Sequence, residues 1–267
     1  MTELTLRALH KTLFITFVLC FAAPLLSGCI TSGTSHKQAS IPGYNKQLEK
    51  IRKKNFSVLR TEMVMRAMSM DNPMYIRAFK SEMKLELWVK NSYRNEFELF
   101  RTYDVCSKSG ALGPKVKEGD LQTPEGFYDV TRERLNPNSK YFLSFNIGYP
   151  NQYDRANKRT GSALMIHGEC VSKGCLAMTN KSIAEIYLII EQNFKYGHKS
   201  IPVHIFPFRM TDQNMAARRY SNWHHFWKDI KQGYDYFEKN RVPPQISVRN
   251  KRYIVNSSPM QYANTQY

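Results

Sequence analysis

Acidic residues are scarce in this chain of 267 residues. It contains 22 Asp and Glu against 39 Lys and Arg, and its formal net charge is +17. Such an excess of positive charge favours anionic partners, such as lipid headgroups, cell-wall polymer or nucleic acid. The sequence has neither zinc-finger spacing nor an Arg-Gly-Phe-type motif of RNA-binding domains. Nucleic acid is therefore the weakest of these candidates, and no nucleic-acid partner is expected.

The N-terminal apolar run is too short for a transmembrane helix. It extends from Leu13 to Leu26, whereas a helix that spans a bilayer needs about 20 residues. The basic residues Arg7 and Lys11 precede it. This pattern is typical of a secretory signal peptide, which we assign to residues 1–28, and it predicts export to the periplasm.

The signal peptide ends in Leu-Ser-Gly-Cys, residues 26–29, which resembles a bacterial lipobox. The resemblance implies that Cys29 is lipidated and becomes the mature N-terminus, so that the lipid anchors the protein to a membrane. Ile30 stands where Asp would resemble an inner-membrane retention signal, and this favours the outer membrane. The alternative is an ordinary signal peptide with an incidental cysteine.

Cysteine is also scarce, with five residues in the chain. Cys20 would leave with the signal peptide and Cys29 would carry lipid. Cys106, Cys170 and Cys175 would then remain in an oxidising compartment. Because three is an odd number, at least one thiol stays free, and we assign it to Cys175. A pairing of Cys106 with Cys170 stays open, and a Cys170–Cys175 bridge, which would silence the thiol, is the alternative.

The most informative segment is 165–175, which reads Met-Ile-His-Gly-Glu-Cys-Val-Ser-Lys-Gly-Cys. A thiol is a good nucleophile only as thiolate, and a nearby imidazole can take its proton. Glycines let the backbone turn tightly and bring N–H groups close to a substrate carbonyl. Alone, His167 is typical of a core histidine and Cys175 of a small buried residue. Together they predict a cysteine nucleophile with a histidine base.

This segment resembles the active site of the L,D-transpeptidase (YkuD-type) domain, whose pattern is His-Gly, a spacer and Ser-x-Gly-Cys-x-Arg. Upstream, residues 113–126 read Gly-Pro-Lys-Val-Lys-Glu-Gly-Asp-Leu-Gln-Thr-Pro-Glu-Gly and look like the loop that opens that domain. Residues 144–155 are similar to the YafK branch of the family. The resemblance extends over residues 75–240.

The resemblance implies a mainly β fold with accessory α-helices, a β-sandwich-like domain flanked by helices, with no metal or organic cofactor. It implies Cys175 as nucleophile and His167 as general base, oriented by the backbone carbonyl of Gly168. The backbone N–H of Gly174 is expected to bind the oxyanion. Ser172 is a weaker candidate, which shapes the loop or hydrogen-bonds the base.

Further residues are candidates for substrate contact. Tyr149, Tyr153 and Arg155 are expected to line the substrate groove, and a purely structural turn is the alternative. Lys115 and Lys117 are expected to be loop charges that could meet an anionic substrate.

The sequence departs from the family pattern at Ala177, which replaces the Arg two residues after the cysteine. Loss of a guanidinium removes a fork that binds carboxylates. Members resembling the YafK branch detach Braun-type lipoprotein from meso-diaminopimelate in peptidoglycan, which implies amide hydrolysis. The alternatives are an L,D-transpeptidase that forms 3–3 cross-links or anchors proteins, and a non-catalytic lipoprotein that binds the cell wall. The expected partners are peptidoglycan stem peptides, attached lipoprotein and a membrane.

The periodicity of apolar residues predicts how the chain is organised. Apolar alternation predicts strands near residues 85–89, 97–99, 127–130, 141–147, 164–167 and 201–208. Helical spacing predicts a helix over residues 180–194, with Ser182 and Glu185 as its capping box and its N-terminus directed at Cys175. We expect a signal peptide (1–28), a tether (29–43), a helical segment (44–74), the catalytic domain (75–209), a helical appendage (210–244) and a mobile tail (245–267).

Overall fold

The structure, a computed structural model, describes residues 46–259. The predicted signal peptide, the tether, Cys29 and the last part of the predicted tail lie outside these residues. The described elements, in chain order, are the helix α1 (Lys46–Met65), the strands β1 (Met74–Phe79), β2 (Lys84–Lys90), β3 (Phe97–Lys108), β4 (Gly126–Thr131), β5 (Leu135–Asn136) and β6 (Ser144–Asn146), the helix α2 (Gln152–Ala156), the strands β7 (Met165–His167) and β8 (Leu176–Met178), the helix α3 (Asn180–Lys195), the strand β9 (Ser200–Phe206), the helices α4 (Asp212–Ala216) and α5 (His224–Asn240), and the strands β10 (Pro244–Arg249) and β11 (Arg252–Pro259).

Nine of the strands form one mixed sheet in the order β4-β9-β1-β2-β3-β8-β7-β6-β5. The long strand β3 joins its two halves, because its first part pairs with β2 and its last part pairs with β8. The pairs β1–β9 and β7–β8 are parallel, and the others are antiparallel. This mainly β architecture with a few helices confirms the predicted fold class.

Three apolar clusters among the described residues hold the sheet to its helices, and the two larger ones contain most of the core. In the larger one, the buried face of α3 packs with α1 and with residues from both halves of the sheet. Ile183, Ile186 and Ile190 of α3 are completely buried there. In the second cluster, Trp227, Ile230 and other apolar residues of α5 pack with aromatic residues of β1, β4 and β9. The helices thus bury apolar surface that the sheet alone would leave exposed to water.

The start of α3 differs from the predicted capping box. Thr179 is the N-cap, and its side chain accepts a hydrogen bond from the backbone N–H of Ser182. Glu185 lies further along the helix and forms an ion pair with Arg101 instead. The three-residue strand β8 lies between Cys175 and α3 in the chain, and the orientation of the helix N-terminus toward the thiol stays a prediction.

The C-terminal region also differs from the prediction. The predicted tail from residue 245 contains most of an antiparallel hairpin, in which β10 pairs with β11. Tyr253 anchors this hairpin, because its ring stacks on Tyr153 at a centroid distance of 4.2 Å. Its hydroxyl accepts a hydrogen bond from Asn151 Nδ2 at 2.8 Å, and Arg252 pairs with Asp229 of α5. A single aromatic anchor in a polar segment is a weak sequence signal.

No helix among residues 46–259 is both long enough and apolar enough to cross a bilayer.

Candidate active site

The candidate site lies where two short parallel strands run side by side. Strand β7 ends at His167, and β8 begins directly after Cys175. Their register pairs Ile166 with Leu176 and His167 with Ala177. Side chains alternate between the two faces of a strand, so Cys175, two residues before Ala177, shares the face that His167 occupies. The register therefore places the residues that the sequence predicted as base and nucleophile at the neighbouring ends of two paired strands.

A single backbone contact orients the imidazole of His167. Its Nδ1 lies 2.6 Å from the backbone carbonyl oxygen of Gly168. Because a carbonyl oxygen can only accept, Nδ1 carries the proton and Nε2 keeps its lone pair. The ring of Tyr141 lies against the imidazole with a centroid distance of 4.7 Å. The contact expected of Gly168 is thus present, and it leaves Nε2 as the atom able to take a proton.

Burial sets the protonation preference of His167. The residue is 2% exposed, and this burial lowers the pKa of the imidazole, whereas the Gly168 carbonyl raises it by a smaller amount. Desolvation disfavours the charged form of a histidine. The resting imidazole is therefore neutral near pH 7, as a general base must be.

Gly168 occupies a position that has no room for a side chain. A Cβ atom there would lie 2.4 Å from Asn180 Oδ1 and 3.0 Å from the backbone oxygen of Tyr141. Its own N–H is shared between the carbonyl oxygens of Tyr141 and Leu143. Asn180 also accepts a hydrogen bond from the N–H of Glu169 at 2.9 Å. The backbone that carries the orienting carbonyl is thus held from several sides.

Cys175 is the free cysteine among the described residues and is partly exposed. Burial raises the pKa of its thiol. The N–H of Met165, which lies 3.4 Å from Sγ, and the positive charge of Lys115 lower the same pKa. The thiol is therefore a neutral group at rest, and two nearby features favour its charged form.

A disulfide joins the loop between β7 and β8 to the sheet. Cys170 is bonded to Cys106 of β3, with a Cα–Cα distance of 5.3 Å. This resolves the pairing that the sequence left open, and it leaves Cys175 as a thiol. Glu169 and Cys170 both have positive φ, at 69° and 47°. The bond therefore fixes a tight turn directly before the nucleophile.

Ser172 takes the first of the two roles expected of it, and Gly174 contacts it. Ser172 Oγ donates to the backbone oxygen of Cys175 at 2.7 Å, so it shapes the loop and does not bond His167. The N–H of Gly174 donates to Ser172 Oγ at 3.3 Å. Its role as an oxyanion donor stays a prediction. Gly174 is also required for the turn, because its φ is +118°.

Two hydroxyl residues of the site were missed in the sequence. Thr123 Oγ1 donates to the backbone oxygen of Cys175 at 3.3 Å. Ser109 Oγ lies 3.3 Å from Ser172 Oγ, and its N–H donates to Thr123 Oγ1. Thr123 belongs to the upstream loop that resembles the family, which was the available signal. No local pattern marks Ser109, because its contacts are to residues distant in the chain.

The candidate substrate residues are placed differently from one another. Tyr149 and Tyr153 are 5% and 6% exposed, so both side chains are largely buried, and Tyr153 lines a pocket together with His204 and Tyr253. The hydroxyl of Tyr149 donates to the carbonyl oxygens of Lys115 and Thr160. Tyr153 is covered by Tyr253. Arg155 is exposed on α2 and donates to the carbonyl oxygen of Pro150, and its contact with substrate stays a prediction.

Ala177 lies in the middle of the sheet. It is completely buried, and it pairs with Ser107 of β3 and His167 of β7. A small residue fits this position between two strands. The guanidinium that the family carries here is therefore absent, and no side chain of comparable length replaces it at this point of β8.

The chain is similar in sequence to known proteins. The YkuD family model, described as the L,D-transpeptidase catalytic domain, matches residues 73–205. The chain is 49% identical over 197 residues to the Escherichia coli (strain K12) protein named "Putative L,D-transpeptidase YafK". The aligned region covers 74% of this chain and 79% of that protein. The Escherichia coli O157:H7 protein of the same name matches equally well.

Solved structures are similar at lower identity. The helical cell shape determining protein Pgp2 from Campylobacter jejuni has a TM-score of 0.43 and 20% identity, over 68% of this chain and 65% of that chain. Bd1075 from Bdellovibrio bacteriovorus has a TM-score of 0.34 and 21% identity, over 61% of this chain and 58% of that chain. From the family model and the Escherichia coli relatives, the chain belongs to the L,D-transpeptidase (YkuD-type) catalytic domain family.

Proposed function

We propose that this protein is a periplasmic cysteine amidase that hydrolyses the amide between meso-diaminopimelate of peptidoglycan and a covalently attached, Braun-type lipoprotein. The observation that carries the enzymatic part is the register of β7 and β8, which pairs His167 with Ala177, two residues after Cys175, together with the Gly168 contact that leaves Nε2 of the imidazole free to take a proton. A neutral base beside a thiol is the arrangement that nucleophilic catalysis by cysteine needs.

The proposed reaction has two stages. Nε2 of His167 takes the proton of the Cys175 thiol, and the sulfur attacks the amide carbonyl carbon of diaminopimelate. The C–N bond then breaks, the amine of the lipoprotein leaves with the proton from His167, and a thioester remains on Cys175. A water molecule, deprotonated by His167, cleaves the thioester and restores the thiol. The products are a free carboxyl group on the stem peptide and a free Lys on the lipoprotein.

Two observations support hydrolysis of this linkage. The chain is 49% identical to the Escherichia coli YafK protein over most of its length, and the resemblance to that branch implies removal of lipoprotein. Ala177 also replaces the arginine of the family pattern, so a fork that would fix a carboxylate on the peptide is lost. Both points argue against a site built chiefly for cross-linking.

An L,D-transpeptidase is the second candidate function. It would form the same thioester, and an amine of a second peptide would replace water in the second stage. The name of the Escherichia coli relatives favours this reaction. A wall-binding lipoprotein without catalysis is the third candidate, supported by the net charge of +17.

We further propose that lipid on Cys29 anchors the enzyme at the outer membrane, facing the periplasm. The support is the sequence of residues 26–29 and the apolar run before them. In that location, attached lipoprotein and stem peptides would both be within reach of the domain.

The test is mass spectrometry of sacculi that carry lipoprotein, after incubation with the native protein or with Cys175→Ala. Val171→Ala is the matched control, because this residue lies on the same loop and is 53% exposed. We expect the native protein and the control to release lipoprotein with a free Lys, and Cys175→Ala to release none. New cross-links would instead establish the transpeptidase. No change with folded native protein would favour the wall-binding lipoprotein.

A further inference from the structure

The side chain of Lys115 is folded into its own loop. Its Nζ donates to Asp120 Oδ1 at 2.6 Å and to the backbone oxygen of Lys117 at 2.9 Å. The side chain is 4% exposed, although it carries a charge. Charged side chains are seldom buried to this extent unless they are paired. We call the arrangement of Lys115 and Asp120 the lysine clamp.

Backbone hydrogen bonds hold Asp120, the second residue of the lysine clamp, in place. Asp120 Oδ2 accepts from the N–H groups of Val116 and Lys117 at 2.8 Å and 3.0 Å, and Oδ1 also accepts from the N–H of Gln122 at 3.1 Å. The Lys115 ammonium and these three backbone N–H groups lower the pKa of Asp120 and offset the opposing effect of burial. Asp120 is therefore ionised at neutral pH, and it holds the Lys115 ammonium in one place.

Residues outside the loop make room for the clamp. Gly161 has φ of +133°, and a Cβ atom at that position would lie 2.6 Å from Lys115 Cε. A larger residue there would displace the lysine stem. The hydroxyl of Tyr149 donates to the backbone oxygen of Lys115 at 3.3 Å. These contacts fix the path of the side chain as well as its end.

The clamp and Cys175 share two pieces of backbone. Downstream of Asp120, the same loop reaches Thr123, whose hydroxyl donates to the backbone oxygen of Cys175. The segment 161–165 contacts the Lys115 stem at Gly161, and at Met165 its N–H lies 3.4 Å from Sγ of Cys175. A charge held by the clamp is therefore held in a fixed relation to the thiol.

We propose that Lys115 is a positioning residue that holds a positive charge against Cys175, stabilises the negative charge on its sulfur, and so sets the reactivity of the nucleophile. The proposal rests on the proposed function in one respect, because it takes Cys175 to be the nucleophile. It holds equally for hydrolysis and for transpeptidation, since both begin with the same thiolate.

The site needs such a charge for a physical reason. Burial raises the pKa of Cys175 and lowers that of His167, so both shifts oppose formation of a thiolate–imidazolium pair. Ala177, two residues after the thiol, supplies no charge. The Lys115 ammonium lowers the pKa of Cys175 and so opposes the effect of burial.

The test is the pH dependence of alkylation of Cys175 by iodoacetamide in the full chain, read by mass spectrometry of the peptide that contains it. Four proteins are compared with the native one: Lys115→Met, Lys115→Arg, Asp120→Asn and Lys117→Met. The last is the matched control, because it removes one charge from an exposed side chain of the same loop. Alkylation reports the thiolate without requiring any peptidoglycan substrate.

We expect Lys115→Met to move the alkylation midpoint to higher pH, and to slow alkylation at pH 7 about 3- to 10-fold, because a smaller fraction of the thiol is ionised there. Lys115→Arg should restore most of the rate, and Lys117→Met should leave the midpoint in place. Asp120→Asn should move the midpoint to lower pH, because it removes the negative charge that partly neutralises Lys115.

The variants of Lys115 and Asp120 distinguish an electrostatic effect on Cys175 from a loss of loop structure. If loss of loop structure were the cause, Lys115→Met and Asp120→Asn would shift the midpoint in the same direction. That result, or an unchanged midpoint in folded Lys115→Met, would overturn the proposal. If Lys115→Met does not fold, Asp120→Asn and Lys115→Arg decide the question. A shifted midpoint with no activity on sacculi would refute the proposed function and leave the role of Lys115 intact.

Discussion

The backbone carbonyl oxygen of Gly168 lies 2.6 Å from Nδ1 of His167, in the residue directly before it. The base is therefore oriented by its own neighbour in the chain and not by a carboxylate. A neutral carbonyl fixes the tautomer without adding a negative charge. It consequently raises the pKa of the imidazole by less than burial lowers it.

This arrangement predicts the acid limb of the pH–rate profile. The base works only as neutral imidazole, and burial extends the range of the neutral form below the ordinary value of 6.5. We expect kcat/KM for lipoprotein release to fall with a midpoint below pH 6.5 as the pH is lowered. We also expect His167→Gln to reduce the rate about 100- to 10,000-fold. A midpoint at or above pH 6.5 would contradict the stated environment of His167.

A methyl group at Gly168 should disturb both stability and catalysis. Gly168→Ala would place a Cβ atom 2.4 Å from Asn180 Oδ1, so the orienting backbone has to shift. We expect a loss of about 1–3 kcal/mol in the free energy of unfolding, measured by urea denaturation, and a larger fractional loss of kcat. Gly197→Ala is the control. Nothing lies within 4 Å of its Cβ position although its φ is +96°, so it should be strained without affecting kcat.

The disulfide should stabilise both the fold and the loop before the nucleophile. Cys106 and Cys170 are 64 residues apart in sequence, for which chain entropy predicts a stabilisation of about 4 kcal/mol. We expect Cys106→Ala/Cys170→Ala to lose about 2–4 kcal/mol in urea unfolding, and to lose activity even where it is folded. Reductant should reproduce both effects in the native protein. Equal activity of the folded double variant would show that the turn does not need the bond.

The buried ion pair of Lys80 and Glu125 should be essential for stability. Both side chains are completely buried, and Lys80 Nζ also donates to the backbone oxygens of Gly113 and Thr123. Lys80→Met would leave the Glu125 carboxyl buried without its cation, which costs about 3–5 kcal/mol. Lys84→Met is the matched control.

Lys84 makes an exposed ion pair with Asp104, and such pairs contribute about 0–1 kcal/mol. Thermal or urea unfolding of the two variants gives the comparison. If Lys80→Met were no less stable than Lys84→Met, the loop that carries Lys115 and Thr123 would not depend on the buried pair.

Features with a local signal could be read from the sequence. The strands near residues 85–89, 127–130 and 201–208 and the helix over 180–194 follow from periodic burial along one element, and the structure contains all of them. The pair His167 and Cys175 was identified because both residues belong to one short segment with its glycines. The fold class followed from the same segment through its resemblance to a family.

Features made by contacts between distant segments could not be read in this way. The hairpin β10–β11 depends on Tyr253 meeting Tyr153, 100 residues earlier. Tyr149 was expected to line the substrate groove, yet its side chain is buried and its hydroxyl bonds the backbone of the Lys115 loop. The engagement of the Gly174 N–H by Ser172 is a matter of loop geometry, which residue types alone do not specify.

The sequence by itself determined the candidate nucleophile, its base, the family and the mainly β class, because each is encoded in residues that are close together in the chain. Only the tertiary structure decided that Cys106 pairs with Cys170, that Gly168 has no space for a side chain, and that Lys115 is buried and paired with Asp120. Those properties depend on contacts between segments that are far apart in sequence, where water is excluded and charges are brought together. No local sequence pattern predicts such contacts.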